Sequence, residues 1–168
     1  RLAGRDPEGR VRTVLGDMVD DLPDGPFDVV LVAYNTLFNI LDADRQQACF
    51  DAVARRLAPG GTFVVEAFVP GPDGGSQVSV RSMTVDHVVL SVSVHDAHHQ
   101  RAEGHYVSLS ENGGVRLRPW SIRYATPDQL DAMAAAAGLV RHARWEDVSG
   151  RPFGADSDRH VTCYRRPS

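Results

Sequence analysis

Phe27-Asp28-Val29-Val30-Leu31-Val32-Ala33 and Thr62-Phe63-Val64-Val65-Glu66-Ala67-Phe68, separated by a helical stretch and by Pro59-Gly60-Gly61, decide the fold. Both runs are continuous and rich in β-branched residues. That is the pattern of strands covered on both faces, not of a half-wet antiparallel strand. Between them, over Asp42 to Ala58, the residues Ala48, Ala52, Val53, Leu57 and Ala58 recur at three- and four-residue intervals, with Phe50 a weak member of the set. Arg45, Gln46, Asp51, Arg55 and Arg56 supply the wet face, so the segment reads as an amphipathic helix. Pro59-Gly60-Gly61 stops it. Strand, helix, glycine turn and strand make a βαβ unit, which predicts parallel strands and a right-handed crossover.

Upstream, Val11-Arg12-Thr13-Val14-Leu15 predicts a short strand ending at Gly16-Asp17-Met18, followed by an acidic loop through Pro26. Downstream of Val69-Pro70-Gly71-Pro72-Asp73-Gly74-Gly75 the pattern changes to short alternating runs over 77–96 and 104–124, with turns at Asp96–His99 and Glu111–Gly114. This predicts an antiparallel insertion. Thr126-Pro127 then opens a helix, Thr as N-cap and Pro in the first turn, that ends at Gly138. Strands around 140–147 and at 161–164 predict a terminal antiparallel hairpin.

The chain has 168 residues, 42% of them hydrophobic, which suits one domain burying roughly 70% of its unfolded surface. No run approaches the length of a membrane-spanning helix. All 18 basic residues are Arg, and the net charge of -4 argues against nucleic acid or an anionic membrane as partner. Cys49 and Cys163 form no CxxC pattern and read as small buried side chains, which points to the cytoplasm. The start, Arg1-Leu2-Ala3-Gly4-Arg5-Asp6, has neither an initiator Met nor a signal peptide, so an interior piece of a longer product is expected.

Val14-Leu15-Gly16-Asp17-Met18, Phe27–Leu31, Ala33-Tyr34-Asn35-Thr36-Leu37-Phe38-Asn39 and Leu57-Ala58-Pro59-Gly60-Gly61-Thr62-Phe63, in this order, resemble the class I S-adenosylmethionine-dependent methyltransferases, particularly bacterial small-molecule enzymes. The resemblance implies an α/β, Rossmann-like core over 1–76 and 125–168, with an antiparallel lid or substrate-binding insertion over 77–124. It implies S-adenosylmethionine as cofactor, with Asp17 accepting from the adenine amino group and the N–H of Met18 meeting a ring nitrogen. Ala33, Tyr34 and Asn35 would follow the family's fourth strand at its carboxyl end, where open α/β sheets place ligands. The family's glycine-rich loop and its ribose-binding acidic residue precede these pieces. Either the gene product is about 70 residues longer, or another chain completes it.

Methyl transfer is an in-line displacement in which placement supplies roughly 7–11 kcal/mol and a general base about 10²–10⁴-fold. Tyr34 is a candidate to place its ring or hydroxyl at the sulfonium, or else to pack under the insertion. Glu66, near the end of a buried strand, must pair with an arginine or face the cleft. Five of the seven histidines fall between His87 and His105. Their spacing fits no metal motif, and His95, on a strand entering the cleft, is the candidate base. Arg118, Arg123 and Tyr124 read as structural or as a site for an acidic substrate group. The expected function is methyl transfer to O or N of a small molecule, with self-association left open. Two rivals stand beside it. One is a truncated binding or pairing module without activity. The other is a nicotinamide-dependent oxidoreductase, which predicts an all-parallel sheet.

Overall fold

A computed structural model describes residues 9–71 and 74–168. Arg1–Asp6 of the start and Pro72-Asp73 of the junction before the insertion lie outside the described residues. The elements run β1 (Phe27–Val32), a 3-10 turn (Thr36–Asn39), α1 (Ala43–Arg56), β2 (Leu57–Phe68), β3 (Gly75–Met83), β4 (His87–Asp96), β5 (Arg101–Ser110), β6 (Val115–Arg123), α2 (Pro127–Ala136), β7 (Val140–Trp145) and β8 (Arg159–Arg165). They form two four-stranded sheets, ordered β1-β2-β8-β7 and β3-β4-β5-β6. No helix among the described residues is long and apolar enough to cross a membrane.

The βαβ unit is present, with β1 parallel to β2 from Phe27↔Leu57 to Val32↔Val65. Asp42 caps α1 by accepting the Arg45 N–H at 3.0 Å. The helix stops at Arg56, two residues before the expected end, because Pro59 drives Ala58 out of the helical region and Leu57 is already extended. Phe50, fully buried, meets Phe63 and Tyr164 edge-on with ring centroids 5.2 and 5.8 Å apart, so one side chain joins α1 to β2 and β8. At α2, Thr126 and Gln129 form a reciprocal capping box and Pro127 occupies the first turn. β8 lies antiparallel between β2 and β7.

Three expectations are corrected. Val11–Leu15 forms no strand and its side chains are exposed, since no strand among the described residues lies beside it to complete a ladder. β1 forms, but it is not covered on both faces: Val29 and Leu31 are each 61% exposed. The strand pairs only with β2 among the described residues, which leaves its far edge and much of its surface open. Gln46, assigned above to the wet face of α1, is fully buried. Its Nε2 donates to the carbonyls of Ile40 and Arg123, and its Oε1 accepts from Arg123 at 2.7 Å. A polar side chain at that depth is stable because each of its groups is bonded. Arg123 is accordingly structural, tying the second sheet to α1.

The second sheet joins the core at one end only. Ala102 and Ser93 are buried there, and Gln100 and Gln129 exchange amide hydrogen bonds of 2.7 and 2.9 Å that fasten the β4–β5 turn to α2. Gly104 has to be glycine, because a Cβ would lie 2.3 Å from the Val92 carbonyl oxygen and 2.7 Å from the Trp120 ring.

One core group makes stability depend on pH. His160 is fully buried, with Nδ1 2.9 Å from the Thr162 hydroxyl, which also accepts from Arg144 at 2.8 Å. The hydroxyl proton therefore goes to His160 Nδ1, and the neutral ring carries its own proton on Nε2, which has no partner among the described residues. Burial, and then the Arg144 charge, lower the His160 pKa from 6.5 to about 4. The unfolded chain binds this proton first, so the contribution is present above about pH 6.5 and is lost as pH falls towards 4. The shift corresponds to about 3 kcal/mol. Urea unfolding of wild type and His160→Leu between pH 7 and 4 should show the extra loss only in wild type.

Candidate functional site

The parallel strands β1 and β2 end together, and the chain leaves β1 through a turn that carries the site. Tyr34 and Asn35 both have positive φ, 54° and 59°, uncommon for residues with a side chain and sustained only where surrounding bonds enforce it. Those bonds all come from the end of β2. The Tyr34 N–H donates to Glu66 Oε2 and the Asn35 N–H to the Glu66 carbonyl, each at 3.2 Å. Asn35 Oδ1 accepts from the Phe68 N–H at 2.7 Å. As a result the Tyr34 side chain stands clear of the sheet, 87% exposed, at the meeting point of three clefts.

The first cleft, about 360 Å³, is apolar and runs from Met18 and Leu22 over Val30, Val32 and Phe63 to Tyr34. Cys49 also lines it, but burial pushes its thiol up to about 11, so it is no nucleophile at neutral pH. A cleft of about 520 Å³ continues past Met18 and Thr36 to Gly16, Asp17, Asn39 and Arg45. Asp17 Oδ1 accepts the N–H groups of Val19 (2.8 Å) and Asp20 (3.3 Å) and an Arg45 N–H (2.9 Å). These bonds, the backbone pair foremost, hold its carboxyl below the usual carboxylate range. Oδ1 thus knits the 17–21 turn, while Oδ2 and the Met18 N–H have no partner among the described residues.

The cleft beneath the second sheet, about 410 Å³, is lined by Tyr34, Asn35, Asn39, Phe68, His95, Tyr106, Trp120 and Ile122. His95 Nε2 lies 3.3 Å from the Ser93 hydroxyl. Trp120 Nε1 is buried without a partner among the described residues. The structure therefore brings His95, Tyr34 and Asn35 to one cleft. Glu66 is not among the residues lining it: it borders a neighbouring cleft with Tyr34, Asn35, Asp158 and Arg159. No arginine pairs with Glu66 among the described residues, since Arg159 is held by Asp158 at 2.9 Å and the Glu66 carboxylate takes the Tyr34 amide instead.

His98 and His99 sit exposed in the β4–β5 turn, with His99 Nδ1 2.7 Å from Asp96, and His87 bonds Ser108 at 2.7 Å. No metal-binding group of three His, Cys, Asp or Glu exists among the described residues. The cysteines are free.

A family model described as a methyltransferase domain matches residues 1–65. The chain is 27% identical over 163 residues to the cypemycin N-terminal methyltransferase of a Streptomyces species, covering 93% of this chain and 65% of that protein. Its fold superposes on the CcbJ methyltransferase of Streptomyces caelestis with a TM-score of 0.87 and 39% identity, over 92% of this chain and 63% of that one. The chain is thus similar to methyltransferases over nearly its whole length. It spans just under two thirds of the length of these two relatives. A further likeness of fold, at 22% identity and a TM-score of 0.69, is to CalS10, an amino pentose methyltransferase of Micromonospora echinaspora, over 96% of this chain and 67% of that one. In the first sheet β8 alone is reversed, running antiparallel to both β2 and β7, which removes the all-parallel sheet that a nicotinamide-dependent oxidoreductase required.

The sequence reading missed Asn39, Phe68, Tyr106 and Ile122 as cleft residues. Tyr106 and Trp120 reach the cleft because His95 pairs with Ala102, and Gly104 with Trp120, which puts His95, Tyr106 and Trp120 on one face of the sheet. Strand alternation alone assigns each residue to a face of its own strand. Register decides which faces coincide.

Proposed function

We propose that this chain supplies the acceptor cleft and part of the cofactor cleft of a cytoplasmic methyltransferase acting on a nitrogen of a small molecule. The observation that carries the reading is Tyr34, whose side chain borders both the apolar cleft leading from Asp17 and the cleft containing His95. S-adenosylmethionine, when bound, provides a methyl group on a sulfonium sulfur. Asp17 Oδ2 and the Met18 N–H, an acceptor and a donor one residue apart, suit the amino group and ring nitrogen along an adenine edge. The adjoining apolar walls of Met18 and Leu22 suit a flat ring. Ala33, Tyr34 and Asn35 would place the reacting end, and Tyr34 offers its ring to a positive charge. Glu66 acts as a positioning residue that fixes this turn. His95 would take the proton from the acceptor, and the second sheet, over 77–124, would close over it as a lid.

Nitrogen is favoured over oxygen because the cypemycin enzyme is named for an N-terminus and CalS10 for an amino sugar. Calorimetry with S-adenosylhomocysteine tests the cofactor half. Asp17→Ala should weaken binding about 10–100-fold, the worth of a hydrogen bond to a charged group. Asp17→Asn, which keeps an oxygen for the 17–21 turn, should fall between. Equal affinity in all three proteins would remove Asp17 from the site, and tight binding without turnover would favour the pairing-module reading.

A further inference from the structure

The cleft beneath the second sheet is walled by rings. Tyr34, Phe68, Tyr106 and Trp120 make up half of its lining, and no lining residue carries a carboxylate or a guanidinium. The aromatic residues of β3–β6 are Tyr106 and Trp120, and register puts both on the face that also carries His95. The other face of the same strands carries Leu90, Val92, Val107 and Leu109, which makes it the apolar side. Trp120 is seated by Gly104, its partner across β5 and β6. A Cβ on Gly104 would lie 2.7 Å from Trp120 Cζ2 and 2.9 Å from Cε2, so the indole fills the space that any other side chain would need. The indole N–H is buried without a partner among the described residues, which leaves the ring itself as the wall. Tyr106 continues that wall, its ring centroid 6.3 Å from that of Trp120 and its plane tilted by 35°. At the end of β2, Phe68 is held edge-on by Phe38 and Tyr124, with centroids 5.3 and 5.8 Å away. Polar groups are few: Asn35 Oδ1 is taken by the Phe68 N–H, which leaves Asn39 and His95.

We infer that these rings read the acceptor as a cation, so that the substrate is an amine charged at neutral pH and not an alcohol, an amide or an acid. The inference rests on the methyl-transfer reading above. An ammonium is drawn to a ring face by its quadrupole, and more strongly where water is excluded. The reaction places charge on the same atom. Once the ammonium has given a proton to His95, the nitrogen lone pair forms the new N–C bond. The C–S bond breaks with its electron pair left on sulfur, and positive charge returns to nitrogen. An alcohol that gives up its proton ends as a neutral ether, which the rings do not favour. Trp120 and Tyr106 are therefore specificity-determining residues, and Gly104 is the positioning residue that lets Trp120 take its place.

The test uses choline and its uncharged isostere 3,3-dimethylbutan-1-ol. Each is titrated into the 168-residue chain at pH 8 and followed by NMR through its own methyl protons. Choline should bind about 3–30-fold more tightly, the range for a cation against aromatic faces. That preference should shrink to within about twofold in Trp120→Leu and fall part-way in Tyr106→Leu, with the circular dichroism spectrum unchanged in both. Trp145→Leu, on β7, should keep it in full. Equal affinity for the two probes, or no binding of choline, would overturn the inference, because the cleft would then be apolar and nothing more. So would a preference that survives in both Trp120→Leu and Tyr106→Leu. Neither probe involves S-adenosylmethionine, so failure of the cofactor reading in the calorimetry above is a separate result from failure here.

Discussion

His95→Ala should slow methyl transfer about 10²–10⁴-fold, the range for loss of a positioned general base. Affinity for S-adenosylhomocysteine should stay within about twofold, because His95 lies in the cleft beneath the second sheet and not in those lined by Asp17 and Met18. Its neighbours there are Tyr34 and Asn35, at the turn proposed to place the reacting end, so a proton leaving the acceptor has His95 as its nearby imidazole. The discriminating variant is His95→Gln. Glutamine can hydrogen-bond the acceptor but cannot take its proton, so it should be nearly as slow as alanine. If glutamine restored most of the rate, His95 would only position the acceptor. The measurement is single-turnover transfer of a tritiated methyl group to an amino-sugar acceptor. Glu66→Gln, by contrast, should disturb both KM and turnover, since Glu66 Oε2 holds the Tyr34 amide.

Phe50→Ala should cost about 3–5 kcal/mol, the usual range for deleting a buried aromatic ring. Domains of this size are stable by about 5–15 kcal/mol, so the variant should sit near the edge of folding. Phe50 touches rings from two strands of the first sheet, Phe63 of β2 and Tyr164 of β8, and neither ring can move into the space without breaking its own packing. Tyr164 is further fixed by its hydroxyl, which donates to Asp131 at 2.9 Å. Calorimetry should find the melting temperature lower by roughly 6–20 °C. Phe50→Leu, which refills most of the space, should lose much less. A change of under about 2 °C in Phe50→Ala would mean that α1 is not pinned through this ring.

The βαβ unit was legible because it rests on local patterns: two continuous apolar runs, one helical period and a Pro-Gly-Gly stop. The capped start of α2 was legible for the same reason, since Thr126, Pro127 and Gln129 act within four residues. What depended on neighbours was not. Val11–Leu15 has strand-like composition, but a ladder needs a second strand, and none lies beside it among the described residues. Gln46 looks like a surface residue of α1 until Arg123, 77 positions away, is folded onto it. Likewise the candidate site was half visible. Tyr34 and Asn35 announced themselves by following a buried strand. Nothing in their identity foretold the left-handed backbone that turns Tyr34 outward, because that conformation is imposed by Glu66 and Phe68 across the sheet.

The alternation of the second sheet has a consequence for how such a protein can change over generations. Along β4 and β5 each residue serves one of two surfaces, and the next residue serves the other. Substitutions can therefore retune the cleft at His95 or Tyr106 without touching the apolar side, and the reverse. A single inserted or deleted residue in either strand would exchange the two surfaces, sending valines into the cleft and the histidine out of it. Sequence in this sheet is free to drift while strand length is held, so variation should accumulate by replacement within the strands and by length only at their turns.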